Sequence, residues 1–440
     1  MELNAYPLGG HSVGSPANVS AVRAKRAELL PEAGPLGTFG AVTGHDGSGA
    51  PLPPIGPFDF SAARRVHDDI AMGASGAVVR LTFEAHAHAT QYLVRASPNV
   101  GHATRTWLAS RLFGALGLAT PTAMLVRGCS LAFDGTQAPE RIYLATTYLP
   151  AYRALGEWLE GDAARRAIEG AQGVQGGVID ACERARDGAL AAGRQMASVL
   201  EQAGAGPLGA LAGAAAQAHA DAARARHEMR GVLCRSLPDV YRCALERHYV
   251  AALWLGNRDV CNAFMDNVGV WRDKNDLPYM MTVDFRRCLD FDSQCPLTEV
   301  TQFCCDDPFA SFVRGLTGLA DTAPGKTVLD ELKDPTGVRA LAAEMAFRLG
   351  RITGHAILPW IESAHEAVRS ASPVAEGAAP AWDRDGFVSQ ILARRDSLVA
   401  LLGGPWAAQA WAQLYPMRAR AIEAQQEPFL RAAAAGGDSA

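Results

Sequence analysis

The sequence is poor in lysine, balanced in charge and without long apolar runs. Lysine occurs at only four of its 440 positions, whereas arginine supplies the other 37 basic residues. The 41 basic and 46 acidic residues give a formal net charge of −5. We therefore do not expect a chain that coats nucleic acid or an anionic membrane surface. A run of 18 apolar residues does not occur either, so a membrane-spanning helix is not expected.

Two further absences concern the compartment in which the protein works. The nine cysteines include no Cys-x-x-Cys pair, so we expect free, mostly buried thiols in a reducing compartment instead of a zinc site. Residues 1–20 contain no apolar segment of the kind that a Sec signal peptide needs. The expected location is therefore the cytoplasm, or a host cell reached by a route that needs no Sec signal.

The rest of the composition, with 49% hydrophobic and 20% charged residues, is typical of a globular protein. Residues 1–57 are rich in proline and glycine and predict a flexible leader. Residues 58–148 alternate β-rich and helical segments, and residues 149–440 are mainly helical, with an Ala-rich helical insertion at about 161–235. The predicted class is α+β. The predicted segments are a short helix at 61–71, a longer helix at 102–116, and strands at 78–84, 91–96, 123–127, 131–133 and 141–148.

Two carboxylates and an amide follow a predicted core helix at 237–255. Asp259 lies in the polar loop after that helix, Asn267 precedes a short apolar strand, and Asp284 ends the next strand. Phosphoryl transfer needs this inventory, because one carboxylate orients the acceptor hydroxyl while an amide oxygen and a second carboxylate hold Mg²⁺. Asp259 and Asn267 are also typical of ordinary turns. A carboxylate that ends a buried strand, however, needs a partner or a metal.

This stretch resembles the catalytic core of the protein-kinase-like superfamily, in particular an atypical bacterial branch. Asp259 and Asn267 are eight residues apart, as in the catalytic loop of that branch, and Asp266-Asn267 reproduces its Asp-Asn pair. Val283-Asp284-Phe285 stands where such kinases have Asp-Phe-Gly, with Arg286 in place of the glycine. An alternative register sets Asn257 and Asn262 five apart, but it puts an amide where the acid belongs.

The upstream half contributes a second part of the resemblance. Gly73, Ser75 and Gly76 fit a glycine-rich phosphate loop, although such a turn is more often only a hairpin turn. Arg95 stands where the family has its nucleotide-binding lysine, and Thr106 stands where the helix that follows has the partnering glutamate. Arginine keeps the charge and binds phosphate in a bidentate manner, but it is longer and forked.

The resemblance implies a bilobal fold with a small β-rich N-lobe at 58–148 and a large helical C-lobe at 149–440. It implies an ATP- and Mg²⁺-dependent kinase-like transferase that acts on a protein or small-molecule hydroxyl. Asp259 would orient the acceptor, Asn267 and Asp284 would bind Mg²⁺, and Arg95 with the 73–76 turn would hold phosphates. The bacterial branch is also compatible with an effector delivered by a needle-type secretion system, with a protein substrate or host partner. Two alternatives stay open: a pseudokinase-like binding module and a kinase-fold nucleotidyltransferase.

Overall fold

The computed structural model describes most of the predicted β-rich region and most of the predicted helices. The described residues are 55–66, 78–82, 91–97, 100–128, 142–172, 239–257, 265–272, 278–289, 338–371 and 384–435, with the isolated positions 191, 230, 233, 234, 237 and 260.

Six of the described strands form one sheet, sheet A. They are β1 (Phe58–Asp59), β2 (Arg64–Arg65), β3 (Val78–Thr82), β4 (Tyr92–Ala96), β5 (Ala123–Arg127) and β6 (Tyr143–Thr147). Their order across the sheet is β1-β5-β6-β4-β3-β2. Only the β1–β5 pair among them is parallel. The centre of the sheet is therefore β6 and β4, and Arg95 of β4 is paired with Leu144 on one side and with Val78 on the other.

The other three described strands form a small antiparallel sheet, sheet B. They are β7 (Arg153–Ala154), β8 (Val268–Arg272) and β9 (Pro278–Thr282), in that order. Val268 lies opposite Thr282, and one step further the backbone N–H of Val283 donates to the carbonyl oxygen of Asn267 at 2.9 Å. The start of β8 and the end of β9 therefore lie side by side, which brings Asn267 and Asp284 to the same end of this sheet.

Nine helices are described. They are α1 (Val100–Ala115), α2 (Leu155–Leu159), α3 (Asp162–Gln172), α4 (Asp239–Leu255), α5 (Val338–Gly350), α6 (Gly354–Ala371), α7 (Arg384–Leu401), α8 (Gly404–Leu414) and α9 (Pro416–Ala435). None of these helices combines the length and apolarity needed to cross a membrane. The expected α+β class is confirmed.

Sheet A carries a buried apolar cluster on each face, and neighbouring residues of its strands contribute to opposite clusters because their side chains alternate. On β6, Leu144 belongs to the main apolar core, while Tyr143 and Ala145 belong to a smaller cluster on the other face. The main core continues from the sheet through α1 into α4, α5, α6 and α7. It also includes Ile168 near one end of the predicted insertion and Leu233 near the other. Both ends of the insertion thus pack on the same core as the sheet.

Helix α1 is buried over most of its circumference, between sheet A and helices α6 and α9. Two of its buried polar residues bond to its own backbone, and the hydroxyl of Ser110, for example, donates to the carbonyl of Trp107 at 2.8 Å. The helix ends at Ala115, and Gly117 just beyond it has a φ of 78°, the left-handed conformation that glycine adopts at helix ends. The N–H of Leu118 then bonds back to the carbonyl of Phe113 at 3.2 Å.

A buried charge cluster ties α1 to three other helices. Glu344 of α5 is fully buried and accepts hydrogen bonds from Arg247 of α4, Arg348 of α5 and Arg418 of α9, at 2.9, 2.8 and 2.8 Å. Arg348 also donates to the carbonyl of Leu116, just beyond α1, at 2.8 Å. Burial alone would raise the pKa of Glu344, but the three guanidiniums lower it to about 2. The carboxylate is therefore charged at neutral pH and fixes the four helices relative to one another.

The short segments deviate most from the sequence expectations. The predicted helix at 61–71 is wrong in its first half, because residues 64–65 form strand β2, paired with β3. A two-residue strand is held by its partner and leaves no periodic pattern in the sequence.

The predicted strand at 131–133 and most of the leader at 1–57 lie outside the described residues. Ile55 is already packed in the main core. Three of the nine cysteines are described, and Cys234, Cys243 and Cys288 are buried thiols outside any disulfide, as expected.

Candidate functional site

Arg95 and Asp284 meet at the boundary between the two sheets. Arg95 lies in central strand β4 of sheet A, and Asp284 follows β9 of sheet B by two residues. Nη1 of Arg95 donates to Oδ2 of Asp284 at 2.9 Å. The structure thus brings together two of the residues that the sequence singled out, one for phosphate and one for metal.

Arg286 is the second cation on the same carboxylate, and the sequence had assigned it no role. Its backbone N–H donates to Oδ1 of Asp284 at 3.0 Å, and its Nε donates to Oδ1 and Oδ2 at 3.0 and 2.8 Å. Its Nη2 lies 2.7 Å from Oδ2. The side chain of Asp284 is only 7% exposed, whereas those of Arg95 and Arg286 are 27% and 34% exposed. The carboxylate is therefore enclosed by two guanidiniums that reach the surface.

This arrangement determines the charge of the site. Burial of Asp284 by itself would raise the pKa of its carboxyl, but the charges of Arg95 and Arg286 and the hydrogen bonds from Arg286 hold that pKa below its ordinary value. Asp284 is therefore ionised at neutral pH. One negative charge between two positive ones leaves the group with a net charge of +1, on a surface that faces water.

The backbone around Asp284 is fixed from the side of α4. The amide nitrogen of Asn257, just beyond the end of α4, donates to the carbonyl of Asp284 at 3.1 Å. The end of α4 is held by Arg394 of α7, which donates to the carbonyls of Leu253 and Trp254 at 2.7 and 2.8 Å. Asn257 is fully buried. In the alternative register it would have been a catalytic-loop residue, but here it supports the backbone of Asp284.

One ring contact and one hydrogen bond of a histidine also hold the segment that carries Asp284. Phe285 packs edge to face on Phe113 of α1, with ring centroids 5.0 Å apart. Nδ1 of His248 in α4 and Oγ1 of Thr282 in β9 form a hydrogen bond of 2.9 Å. Burial, with Arg247 nearby, lowers the pKa of His248 to about 3, so this histidine is neutral and acts as a fixed polar contact. Asp284 is thereby held between α1, α4 and β9.

Asn267 lies on the neighbouring strand end. It is buried, and its carbonyl accepts the N–H of Val283 at 2.9 Å. Beside it, the hydroxyl of Tyr152 donates to the carbonyl of Asp266 at 3.2 Å. Partial burial, together with the negative charges of Asp266 and Asp284, raises the pKa of the Tyr152 hydroxyl. Tyr152 therefore stays protonated and remains a donor that holds the turn before β8.

Thr106 is buried in α1, and its hydroxyl donates to the carbonyl of His102 at 2.9 Å. The resemblance implied an acidic partner for the cation of β4 at this position. Arg95 is instead paired with Asp284. The guanidinium of Arg95 therefore takes its acidic partner from the segment after β9 instead of from α1.

Four of the predicted site residues lie outside the described residues: Asp259, Gly73, Ser75 and Gly76. Their predicted roles remain predictions. The neighbouring described positions are Val260, which is buried, and Val78, which is paired with Arg95. The chain that leaves Gly76 thus enters β3 beside Arg95.

The donor types at the site suit a hard cation, because carboxylate and amide oxygens are the ligands that Mg²⁺ takes in proteins. Asp284 supplies an ionised carboxylate and Asn267 an amide oxygen. Among the described residues no group of three or more His, Cys, Asp or Glu side chains is close enough to hold a metal ion. A divalent cation at Asp284 would compete with Arg286, since both oxygens of the carboxylate accept bonds from that side chain.

Sequence reasoning missed the contacts of Arg286, Asn257 and Tyr152 at this site. For Arg286 a signal existed, because an arginine two residues after a buried acid is within reach of it. The roles of Asn257 and Tyr152 depend on backbone carbonyls of distant segments, and no pattern in the sequence marks such contacts.

The sequence and the fold were compared with those of known proteins. No protein-family model and no curated protein matches the sequence. Among solved structures, the chain is similar to the crystal structure of the Helicobacter pylori proinflammatory kinase CtkA, with 13% identity and a TM-score of 0.39, over 82% of this chain and 99% of that one.

Proposed function

We propose that the protein is an ATP-dependent phosphotransferase of the kinase-like type, which transfers a phosphoryl group to a hydroxyl of a protein or small molecule. The observation that carries this proposal is the contact between Arg95 of sheet A and Asp284 beside sheet B. Arg95, the predicted phosphate ligand, and Asp284, the predicted metal ligand, meet on one surface, although they are 189 residues apart in the chain. Phosphoryl transfer uses a cation that holds phosphates and an acid that holds Mg²⁺ in one cleft, so this proximity supports the proposal.

In this proposal the phosphates lie against Arg95 and the turn formed by Gly73, Ser75 and Gly76. Val78 supports the assignment, because it follows the turn by two residues and is the strand partner of Arg95. Backbone N–H groups of a small-residue turn and a guanidinium are both suited to phosphate oxygens.

Mg²⁺ would be held by Asp284 and Asn267, whose donor atoms fit it. When bound, such an ion neutralises the charge that develops on the transferred phosphoryl group. Asp284 is ready for this role because it is ionised and fixed by Asn257 and Phe285. Arg286 must leave at least one carboxylate oxygen for the ion to bind.

Asp259 would orient the acceptor hydroxyl and accept its proton, since a carboxylate can do so and an amide cannot. It follows Asn257 by two residues, and Asn257 bonds to the backbone of Asp284. The connection between these two residues supports a position of Asp259 near the site.

A kinase-like fold with two lobes is part of the same proposal, with α1 in the place of the N-lobe helix. Arg95 replaces the lysine of kinase-like proteins and Thr106 replaces its glutamate partner, and these two replacements are mutually consistent. With threonine in α1 no unpaired carboxylate is left buried there, and Asp284 serves as the partner of Arg95 instead.

One observation favours a second candidate, a pseudokinase-like module that binds a nucleotide or partner without transfer. The carboxylate of Asp284 is engaged by Arg95 and Arg286, and such a stable ion cluster would oppose metal binding. Thermal shift with ATP, in the presence and absence of Mg²⁺, separates a protein that binds a nucleotide from one that binds only a protein partner.

The function itself is tested by incubating the purified protein with ATP, Mg²⁺ and cell extract. Label at the γ-position and label at the α-position are used in parallel. Transfer of γ-label alone supports a phosphotransferase, transfer of α-label supports a nucleotidyltransferase, and binding without transfer of either label supports the module. Extracts of bacterial and of eukaryotic cells distinguish an internal acceptor from the host acceptor that a secreted effector would have.

A further inference from the structure

The group around Asp284 has more positive than negative charge, and the positive side chains are the exposed ones. Asp284 is buried, while about a quarter of the side chain of Arg95 and a third of that of Arg286 are exposed. Asp284 therefore does not present its charge to solvent. It orients two guanidiniums that do.

The guanidinium N–H groups are numerous enough to bind an anion in addition to Asp284. A guanidinium carries five N–H donors in a fixed fork. Arg95 contacts Asp284 through Nη1 alone. Two arginines held at one carboxylate have little side-chain freedom left to lose when an anion binds, so their affinity for phosphate oxygens is increased by preorganisation.

We propose that Arg95 and Arg286 form an anion clamp, oriented by Asp284, that binds the polyphosphate tail of a nucleotide without a divalent cation. This inference rests on the proposed function, since it concerns the same nucleotide. It goes beyond it by adding Arg286 as a phosphate-binding residue and by making nucleotide binding independent of the metal that transfer requires.

The clamp and a metal ion oppose each other at Asp284. A cation that binds the carboxylate displaces Arg286 from it, because Arg286 contacts both carboxylate oxygens. Removal of Arg286 therefore weakens binding in the absence of metal and leaves the gain from Mg²⁺ intact or larger.

The test is the affinity of the full chain for ATP and for inorganic tripolyphosphate, measured by calorimetry in EDTA and in excess Mg²⁺. The variants are Arg286→Gln, Arg95→Gln and the matched control Arg287→Gln, which removes the same charge from the adjacent exposed residue. Circular dichroism and melting temperatures establish that each variant is folded. Arg286→Lys, which keeps the charge but not the fork, is the second variant if Arg286→Gln does not fold.

We expect ATP and tripolyphosphate to bind in EDTA. Arg286→Gln and Arg95→Gln should each weaken this binding about tenfold or more, as the loss of a charge-assisted pair implies, while Arg287→Gln should change it less than about threefold. Binding that requires Mg²⁺ and is unchanged in Arg286→Gln would overturn the clamp and leave the proposed phosphotransferase standing. The absence of nucleotide binding under every condition would overturn both.

Discussion

The guanidinium of Arg95 and the carboxylate of Asp284 form an ion pair with a nitrogen–oxygen distance of 2.9 Å between a central strand of sheet A and the end of sheet B. This pair explains how the chain accommodates Thr106 in α1. The acid that balances the strand cation comes from the segment after β9 and not from the helix. The pair thus joins the predicted phosphate-binding part of the chain to the predicted metal-binding part.

The first prediction concerns Asp284→Asn. The amide keeps one oxygen that accepts from the arginines, but the second acceptor and the negative charge are lost. We expect ATP to bind more tightly in EDTA, on the order of tenfold, because nothing now offsets the two guanidiniums. The additional stabilisation by Mg²⁺ should disappear. Thermal shift and calorimetry measure both effects, with the exposed neighbour Asp266→Asn as control. Equal Mg²⁺ effects in wild type and Asp284→Asn would refute the metal assignment.

The second prediction compares two changes at one position. Arg95→Lys should retain more nucleotide binding and transfer than Arg95→Ala, because a cation of either kind offsets phosphate charge while only arginine offers the bidentate geometry. The dissociation constant for ATP and the transfer rate are the measurements. If the Lys and Ala variants behave identically, Arg95 does not contact the phosphates.

The third prediction separates Asp259 from Asn257. Asp259→Asn should reduce turnover about 10²–10⁴-fold with nucleotide binding nearly unchanged, as expected for loss of a general base. Asn257→Ala should instead lower the free energy of unfolding by about 1–3 kcal/mol, since it removes a buried hydrogen bond to the carbonyl of Asp284. Single-turnover kinetics and urea unfolding distinguish the two effects. Full activity of Asp259→Asn would contradict its assigned role.

The fourth prediction concerns pH and His248. Its folded pKa of about 3 lies below the ordinary value of 6.5, so between these values the unfolded chain binds a proton that the native protein does not. Stability that is present above about pH 6.5 is therefore lost as the pH falls towards 3. His248→Gln should flatten this dependence between pH 7 and 5, whatever its effect on absolute stability.

Urea midpoints measured across that pH range check this prediction, and His355→Gln, at an exposed position of α6, serves as the control. The control should follow the wild type. A His248 variant with the same pH slope as the wild type would mean that the histidine is not buried in its neutral form.

Local patterns in the sequence predicted the framework of the site. The alternating residues of β4 placed Arg95 in a strand, the apolar run of β9 placed Asp284 at a strand end, and the spacing of α1 and α4 identified both helices. These features depend on a few neighbouring residues, so the sequence carries them directly. The α+β class follows from the same patterns.

Contacts between distant segments were not predictable in this way. Arg286 was noted as a departure from a motif, and only the folded chain shows that it binds Asp284. Strands β1 and β2 have two residues each and exist through their partners. In helix α1 the hydroxyls of Thr106 and Ser110 bond to the helix's own backbone, which allows these polar residues to be buried, and the sequence does not mark such contacts.

The central claim is that Arg95 and Asp284 mark the place where a nucleotide binds. A crystal structure of the protein with a non-hydrolysable ATP analogue and Mg²⁺ tests it most directly. We predict the triphosphate in contact with the guanidinium of Arg95, and the carboxylate of Asp259 within several ångströms of Asp284. A nucleotide bound elsewhere, with the Arg95–Asp284 pair intact and Asp259 in a remote ion pair, would contradict the account.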